Sequence, residues 1–360
     1  MKFLGYPRPD GSAGTRNFIG IIPSVFCANR VAKGIGDNIQ NSVVLSHTLG
    51  CGQHGADHEQ TLKTLAGLGR HPNLGAVLIV SLGCEKISPE ELRDAIAVSG
   101  KPVEVISIQD LGGTIKAIEQ GTKILSGWAE ELQAAQREEI AISKLVVGLK
   151  CGGTDATSGI AANPALGFAS DIIIRQGGTA ILSEVTELIG AEHVLAKRAK
   201  NPEIAQEILA TVGKAEAKLR EKTKNVDRVS MQGALVSAGN FDGGVSSVAE
   251  KALGGMYKSG TAPICGVVGY GEKPPATGLY LMDSPGVDNE VITSMVAGGA
   301  NVVVFTTGRG TPSGFPFVPV IKVTGNSRTY HRMLENIDIN AGTIVDGQKS
   351  LPEAGEELYR

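Results

Sequence analysis

The most constraining feature of this chain is a repeated pairing: short apolar runs, each too brief for a helix, end at or just before glycines and cysteines. Asn17 to Pro23, Ser42 to Ser46, Gly75 to Val80 and Val103 to Ile106 are such runs, and they read as buried strands. Between them lie helical stretches. Leu62, Leu65 and Leu68 recur at three-residue spacing within Glu59 to Leu68, and Ser88-Pro89-Glu90-Glu91 is a helix start with a serine cap, proline at the first position and acids in the first turn. Strands alternating with helices imply a parallel, doubly wound sheet. The pattern resumes at Lys144 to Leu149, Pro263 to Val268, Gly278 to Met282, Asn301 to Phe305 and Val318 to Val323. The long helical pattern from Gly113 to Lys144 connects the halves, and the charged stretch Asn201 to Lys224 reads as a surface helix. The expected fold class is α/β: doubly wound, mostly parallel sheets in two subdomains, residues 1–140 and 141–360.

Composition narrows the function. Forty-eight glycines in 360 residues is about twice the usual share, and they follow strands, where a chain turns sharply or lets its backbone approach a ligand. A net charge of -3 leaves no basic excess for nucleic acid. No apolar run approaches the roughly 18 residues of a membrane span, and the start MKFLGYPRPDGSAG lacks the apolar segment of a secretory signal, so a cytoplasmic enzyme is expected. There is no Gly-x-Gly-x-x-Gly with a following acid, no phosphate loop and no Gly-x-Ser-x-Gly elbow, which removes support for nucleotide cofactors and for a serine hydrolase.

Four of the five cysteines fall just past a strand: Cys27, Cys51, Cys84 and Cys151. In open parallel sheets the ligand crevice lies beyond the carboxyl ends of the strands, so residues distant in sequence converge there. Three of these sit beside glycine: Gly50-Cys51-Gly52, Gly83-Cys84 and Cys151-Gly152-Gly153. Cysteine with nearby His47 and Glu85 suits iron or zinc rather than magnesium. The expected metal ligands are therefore Cys51, Cys84 and Cys151, with His47 as a further ligand; His47 and Glu85 are also candidate acid/base groups. The loop Gly152 to Gly159, with Thr154, Asp155 and Ser158, offers backbone N–H groups for a carboxylate or phosphate. Arg309, after the strand that ends at Phe305, can clamp a carboxylate with two parallel hydrogen bonds. Arg16 and Asn17 precede the first strand, at the end away from the crevice. Glu184 competes with His47 as the general base, and His54 with His58 forms a weaker metal pair.

Several segments carry a resemblance to a known family. They include Gly14-Thr15-Arg16-Asn17, Leu82-Gly83-Cys84-Glu85, Cys151-Gly152-Gly153-Thr154-Asp155, Ser158-Gly159-Ile160-Ala161-Ala162-Asn163-Pro164-Ala165, Leu182-Ser183-Glu184, Met282-Asp283-Ser284-Pro285-Gly286 and Phe305-Thr306-Thr307-Gly308-Arg309-Gly310. In this order they resemble the altronate/galactarate dehydratases, from about residue 5 to 347. The resemblance implies a hydro-lyase that converts a sugar acid to a 2-keto-3-deoxy acid. It also implies iron, as Fe2+ or an oxygen-labile iron–sulfur cluster, and a hydroxy-acid site drawing on Arg16, Asn17, Thr154, Asp155, Ser158, Asn163 and Arg309. Single-chain members carry a small N-terminal SAF-type domain. The expectation is therefore a separately encoded small SAF subunit, within a homo-oligomer that contacts neither nucleic acid nor membrane. Sulfolactate sulfo-lyase, which expels sulfite instead of water, is the alternative on the same scaffold.

Overall fold

The computed structural model describes residues 1–222 and 235–360. The chain forms two compact units. The first takes Met1–Lys144 together with Val296–Asn301 and Phe315–Val318, and the second takes Leu145–Met295, Val302–Gly314 and Pro319–Arg360.

Strands of the first unit are β1 (Lys2–Pro7), β2 (Ala13–Gly14), β3 (Phe18–Pro23), β4 (Ser42–Val44), β5 (Leu74–Ser81), β6 (Val103–Ser107) and β7 (Glu138–Ala141). Four of them make a wholly parallel sheet in the order β4-β3-β5-β6. Every residue of β5 is buried, as a central strand covered on both faces requires. Ile19, Ile21, Leu78 and Val80 point to one face, where Ile35 of helix Asn29–Gly36 and Ala117 and Leu125 of helix Thr114–Ala134 close the core. Ser88 caps helix Pro89–Ala97 by accepting from the Glu91 N–H, as its sequence predicts.

The expected helix Gly113 to Lys144 is shorter than its pattern. It ends at Ala134, and Glu138–Ala141 instead forms β7, antiparallel to β1, with β2 on the other side of β1. Helix propensity is a weak preference, and the unpaired edge of β1 overrides it. Three side chains hold the late segments of this unit in place. His71 Nε2 meets the Ala300 carbonyl at 2.9 Å, the Asn73 amide donates to Phe317 O at 2.9 Å, and the Asn301 amide donates to Ala13 O at 2.9 Å.

The second unit holds one seven-stranded sheet, all parallel, built from β8 (Val146–Gly152), β9 (Thr179–Leu182), β10 (Ile264–Val268), β11 (Gly278–Met282), β12 (Val302–Thr307), β13 (Val320–Thr324) and β14 (Ile339–Asn340). Its order is β10-β11-β9-β8-β12-β13-β14, which places β8 at the centre. The stretch expected as a surface helix is helix Pro202–Lys222, and it is not a mere surface connector: Ile208 and Val212 are fully buried against Leu195, Val185 and Ile264. Its charges face outward while one apolar stripe joins the core, an arrangement a charge count misses. Residues 223 and 224 of that stretch lie outside the described residues.

Candidate functional site

Each sheet presents chemistry at the carboxyl ends of its strands. In the first unit, β3, β4 and β5 lead into loops that carry Cys27, Cys51 and Cys84, and all three are solvent-exposed. The loops are tied together. Phe26 N donates to Leu49 O at 2.9 Å, and Lys86 N donates to Gly50 O at 3.3 Å. Gly50 has a φ of +96°, and a Cβ there would collide with the Ser24 carbonyl; Gly83 has a φ of +114°. Only glycine holds either position without strain.

His47 and Glu85, expected as ligands or acid/base groups, have other work. His47 Nε2 meets Pro23 O at 2.7 Å, and its Nδ1 accepts from Leu49 N at 3.1 Å, so both ring nitrogens are engaged. Burial lowers its pKa, which keeps the ring neutral. Glu85 Oε1 accepts from Ser24 Oγ at 2.5 Å and from Leu82 N at 3.2 Å, while Oε2 accepts from Gly83 N at 2.7 Å. Burial pushes this carboxyl up, but those hydrogen bonds outweigh it and hold the group below its ordinary value. In this geometry both residues shape the cysteine loops. Arg16 and Asn17 stand at the opposite, amino end of β3: Arg16 donates to Thr15 O and Asn17 to Leu132 O.

At the centre of the second unit, β8 ends in Lys150-Cys151. Lys150 is fully buried and pairs with the Glu184 carboxylate and, at 2.8 Å, with Asp288. Lys258, also buried, lies 2.8 Å from the other Glu184 oxygen and 3.1 Å from Cys151 Sγ. Cys151 N donates to the same Glu184 oxygen. Burial alone would raise the Glu184 pKa, but the two ammonium groups overcome it and hold the carboxyl well below the usual range. Burial and the Glu184 charge push the Cys151 thiol up to about 12. Glu184, a candidate base by sequence, is thus fully buried and held between two lysines with both oxygens engaged. It sits at a φ of +69°, a left-handed conformation uncommon outside glycine.

Among the described residues, one trio of metal-capable side chains brings its ligand atoms within 4.8 Å of one another: Cys151, Glu184 and Glu187. It does not fit iron. Two buried ammonium groups, Lys150 and Lys258, already pair with Glu184, and Lys258 lies 3.1 Å from Cys151 Sγ, so the positive charge the trio can balance is already present. Of the expected ligands, Cys151 alone lies in this trio, while Cys51 and Cys84 stand on the first unit. The exposed thiols Cys51 and Cys84 do fit a soft metal.

Beside the buried cluster, Gly153 O accepts from Gly308 N and Arg309 N, which draws the loop after β8 onto the loop after β12. Asp155 is saturated: Oδ1 takes Thr157, the Ser158 N–H and the Ser158 hydroxyl, while Oδ2 takes Asn326 at 3.0 Å. A Cβ on Gly308 would land on this carboxylate, so the closeness needs glycine. Asn163, at the start of helix Asn163–Arg175, accepts from Thr306 Oγ1 at 2.5 Å and donates to Gly254 O. Ser158 and Asn163 are buried braces, and Thr154 holds Asn240 through its carbonyl.

These braces frame a cavity of about 530 Å³ lined by Asp155, Asp242, Arg309, Asn326, Arg328 and Arg332, among others. Among the described residues, no carboxylate pairs with the three arginines, and Asp242 has no hydrogen-bond partner. Sequence reasoning found Asp155 and Arg309 but missed Asp242, Asn326, Arg328 and Arg332. It also missed the buried Lys150 and Lys258. Lys150 did leave a signal, a cation inside the strand Val146–Gly152 whose neighbours are apolar.

Comparison with known proteins agrees with this architecture. The family described as D-galactarate/Altronate dehydratase, C-terminal, matches residues 142–360, and D-galactarate dehydratase/Altronate hydrolase, second domain, matches residues 5–133. Altronate dehydratase of Bacillus subtilis (strain 168) is 38% identical over 96% of this chain and 69% of its own length. Galactarate dehydratase (L-threo-forming) of Escherichia coli (strain K12) is 37% identical over 99% of this chain and 71% of its own. The (2R)-sulfolactate sulfo-lyase subunit beta of Chromohalobacter salexigens is 35% identical over 99% of this chain and 90% of its own. No helix among the described residues is long and apolar enough to cross a membrane. Lyase chemistry is common to these relatives, and the chain belongs to the D-galactarate/altronate dehydratase family of lyases.

Proposed function

We propose that this chain removes water from a sugar acid such as altronate or galactarate to give a 2-keto-3-deoxy acid. The cavity of the second unit carries the reading. Three arginines without carboxylate partners suit a carboxylate, and Asp242 and Asn326 suit the hydroxyls of a polyhydroxy chain. In such a dehydration the C2 proton leaves, the C3 hydroxyl departs, and the resulting enol becomes the ketone. Guanidinium groups on the carboxylate stabilise the negative charge that grows there as the C2 proton is removed. Asp242 is the acid on this cavity with its oxygens available to take that proton, while Asp155 is committed to holding the wall. Hydroxide is a poor leaving group, and iron, when bound, would supply Lewis-acid assistance for it; Cys51 and Cys84 are the thiols that would hold the metal. Exposed thiols suit a reducing compartment such as the cytoplasm.

A second reading has its own support. Release of sulfite from (2R)-sulfolactate is the alternative, since a relative named as a sulfo-lyase subunit matches 99% of this chain at 35% identity. The deciding assay supplies altronate, galactarate and sulfolactate to anaerobically prepared protein and measures keto acid and sulfite. Keto acid from a sugar acid, reduced about a hundredfold or more in Arg309→Ala and Asp242→Asn, supports the first reading. Sulfite release with no sugar-acid turnover overturns it.

A further inference from the structure

We propose that Asp155 is a positioning residue that acts through Asn326: its carboxylate fastens the short helix that carries Arg328 and Arg332, and so fixes where those guanidinium groups stand in the cavity. This deepens the cavity reading above and rests on it.

The helix Ser327–Arg332 spans six residues, and none of them is buried. A helix so short is marginal in water by itself, and here no buried side chain anchors it. Polar ties set its place. Asn326 Oδ1 accepts from Arg328 N at 3.1 Å and from Thr329 N at 3.3 Å, which caps the first turn. Thr329 Oγ1 donates to Gly308 O at 2.7 Å, one residue before Arg309, and Ser327 adds contacts to Asn340 and Asp346. Asn326 Nδ2 donates to Asp155 Oδ2 at 3.0 Å, a bond between residues 171 apart in sequence.

Asp155 is itself held firmly. It is buried, with Oδ1 engaged by Thr157 and Ser158, and Gly308 lies so close that a Cβ would strike its carboxylate. One carboxylate thus touches the loop after β8, the loop that bears Arg309 and the cap of the helix that bears the other two arginines. Arg328 and Arg332 are four residues apart, so they share one helix face, and both line the cavity. The Asn326 amide has no freedom to turn over: its oxygen must meet the helix N–H groups and its nitrogen must meet the carboxylate. Its second N–H is left for a substrate hydroxyl.

The test is a swap of this pair in the full chain, purified without oxygen. Altronate, galactarate and sulfolactate are titrated into the parent protein by calorimetry, and the tightest binder becomes the probe for the variants. Where keto acid or sulfite forms, KM and kcat are read in place of Kd and the number of sites. Asn326→Asp keeps an equally good helix cap but puts a carboxylate oxygen where the amide nitrogen stood, 3.0 Å from Asp155. Asp155→Asn sets one amide donor against another. Each should weaken binding about tenfold at a full number of sites. Asp155→Asn combined with Asn326→Asp rebuilds the hydrogen bond in the reverse sense and should return the affinity to within about threefold of the parent. Arg332→Gln should weaken binding by itself and add little to Asn326→Asp, since both act on the same guanidinium. Partial misfolding leaves a different signature, namely fewer sites at the parent affinity. That signature, single variants that bind like the parent, or a double variant as weak as the singles overturns the proposal. A parent that binds none of the three acids removes the cavity reading and this proposal with it. A parent that binds while the single variants match it removes this proposal alone.

Discussion

The two parallel sheets use their carboxyl ends in opposite ways. The first unit keeps its thiols in solvent and spends its polar side chains on the loops beneath them: His47 and Glu85 are saturated, while Cys27, Cys51 and Cys84 are exposed. The second unit buries its charges. Lys150, Lys258 and Glu184 are enclosed around a thiol that stays protonated, and the exposed chemistry lies one loop further on, in the arginine cavity. A strongly shifted pKa therefore marks different things in the two places. Around Glu184 it reports a structural lock, and the solvent-facing groups on loop ends are the better candidates for contact with ligand.

Breaking the lock should produce the largest effect. Glu184→Ala leaves two buried ammonium groups without their shared partner, which should cost about 3–5 kcal/mol in urea unfolding. A loss below about 1 kcal/mol would show that the lysines move to water instead, and that the cluster is not a lock. Next comes thiol reactivity. With its pKa pushed up to about 12, Cys151 has very little thiolate at pH 8, so in metal-free protein it should alkylate on the order of a thousandfold more slowly than Cys51 or Cys84. Mass mapping after short iodoacetamide exposure measures this directly. Comparable labelling of Cys151 would erase the contrast between the edges.

Loop geometry gives a smaller difference. Gly50→Ala forces a Cβ onto the Ser24 carbonyl at a φ of +96° and should lower stability by more than ~1 kcal/mol, whereas Gly127→Ala, within a helix and in open space, should be neutral or stabilising. Paired melting curves decide it.

The subtlest contrast is in pH. His71, buried in the first unit, has a pKa lowered from 6.5 to about 3, chiefly by desolvation. The unfolded chain binds that proton more readily, so the first unit loses stability as pH falls below about 6.5. Glu184 has a depressed pKa, so its contribution is fully present above about pH 4.5 and is lost only as pH falls below that. Hydrogen exchange between pH 7 and 5 should therefore speed up relative to its intrinsic rate in β5 before β8. Equal acceleration in both would remove His71 as the cause.

The strands were legible because each is a short run of apolar residues bounded by turn chemistry, and all nine expected runs coincide with strands. β1, β2, β7, β9 and β14 were not among the expected runs. KFLGYP and EEIA have weak alternation, and their pairing is fixed by partners more than 120 residues apart. The site was partly legible. Glycine-flanked cysteines and the Cys151 to Ser158 loop announced the strand ends, but sequence does not show whether a thiol faces water or a lysine. Lys258, Asp242 and the two further arginines lie in stretches with no distinguishing spacing, so only the fold brings them to their places.

The late segments of the first unit have a consequence for how the chain is made. Ala300, Asn301 and Phe317 supply carbonyls or an amide that His71, Thr15, Asn73 and Ala13 engage. A ribosome that has released only the first 144 residues has therefore emitted a unit whose buried His71 and Asn73 lack their acceptors. That unit closes only when Val318 has emerged, by which time most of the second unit has also left the exit tunnel. Synthesis order and folding order are thus interleaved. A fragment cut at residue 144 should be a poor solubility partner for the remainder, and a nascent chain stalled before Phe315 should be more exposed to chaperones and proteases than one stalled just after Val318.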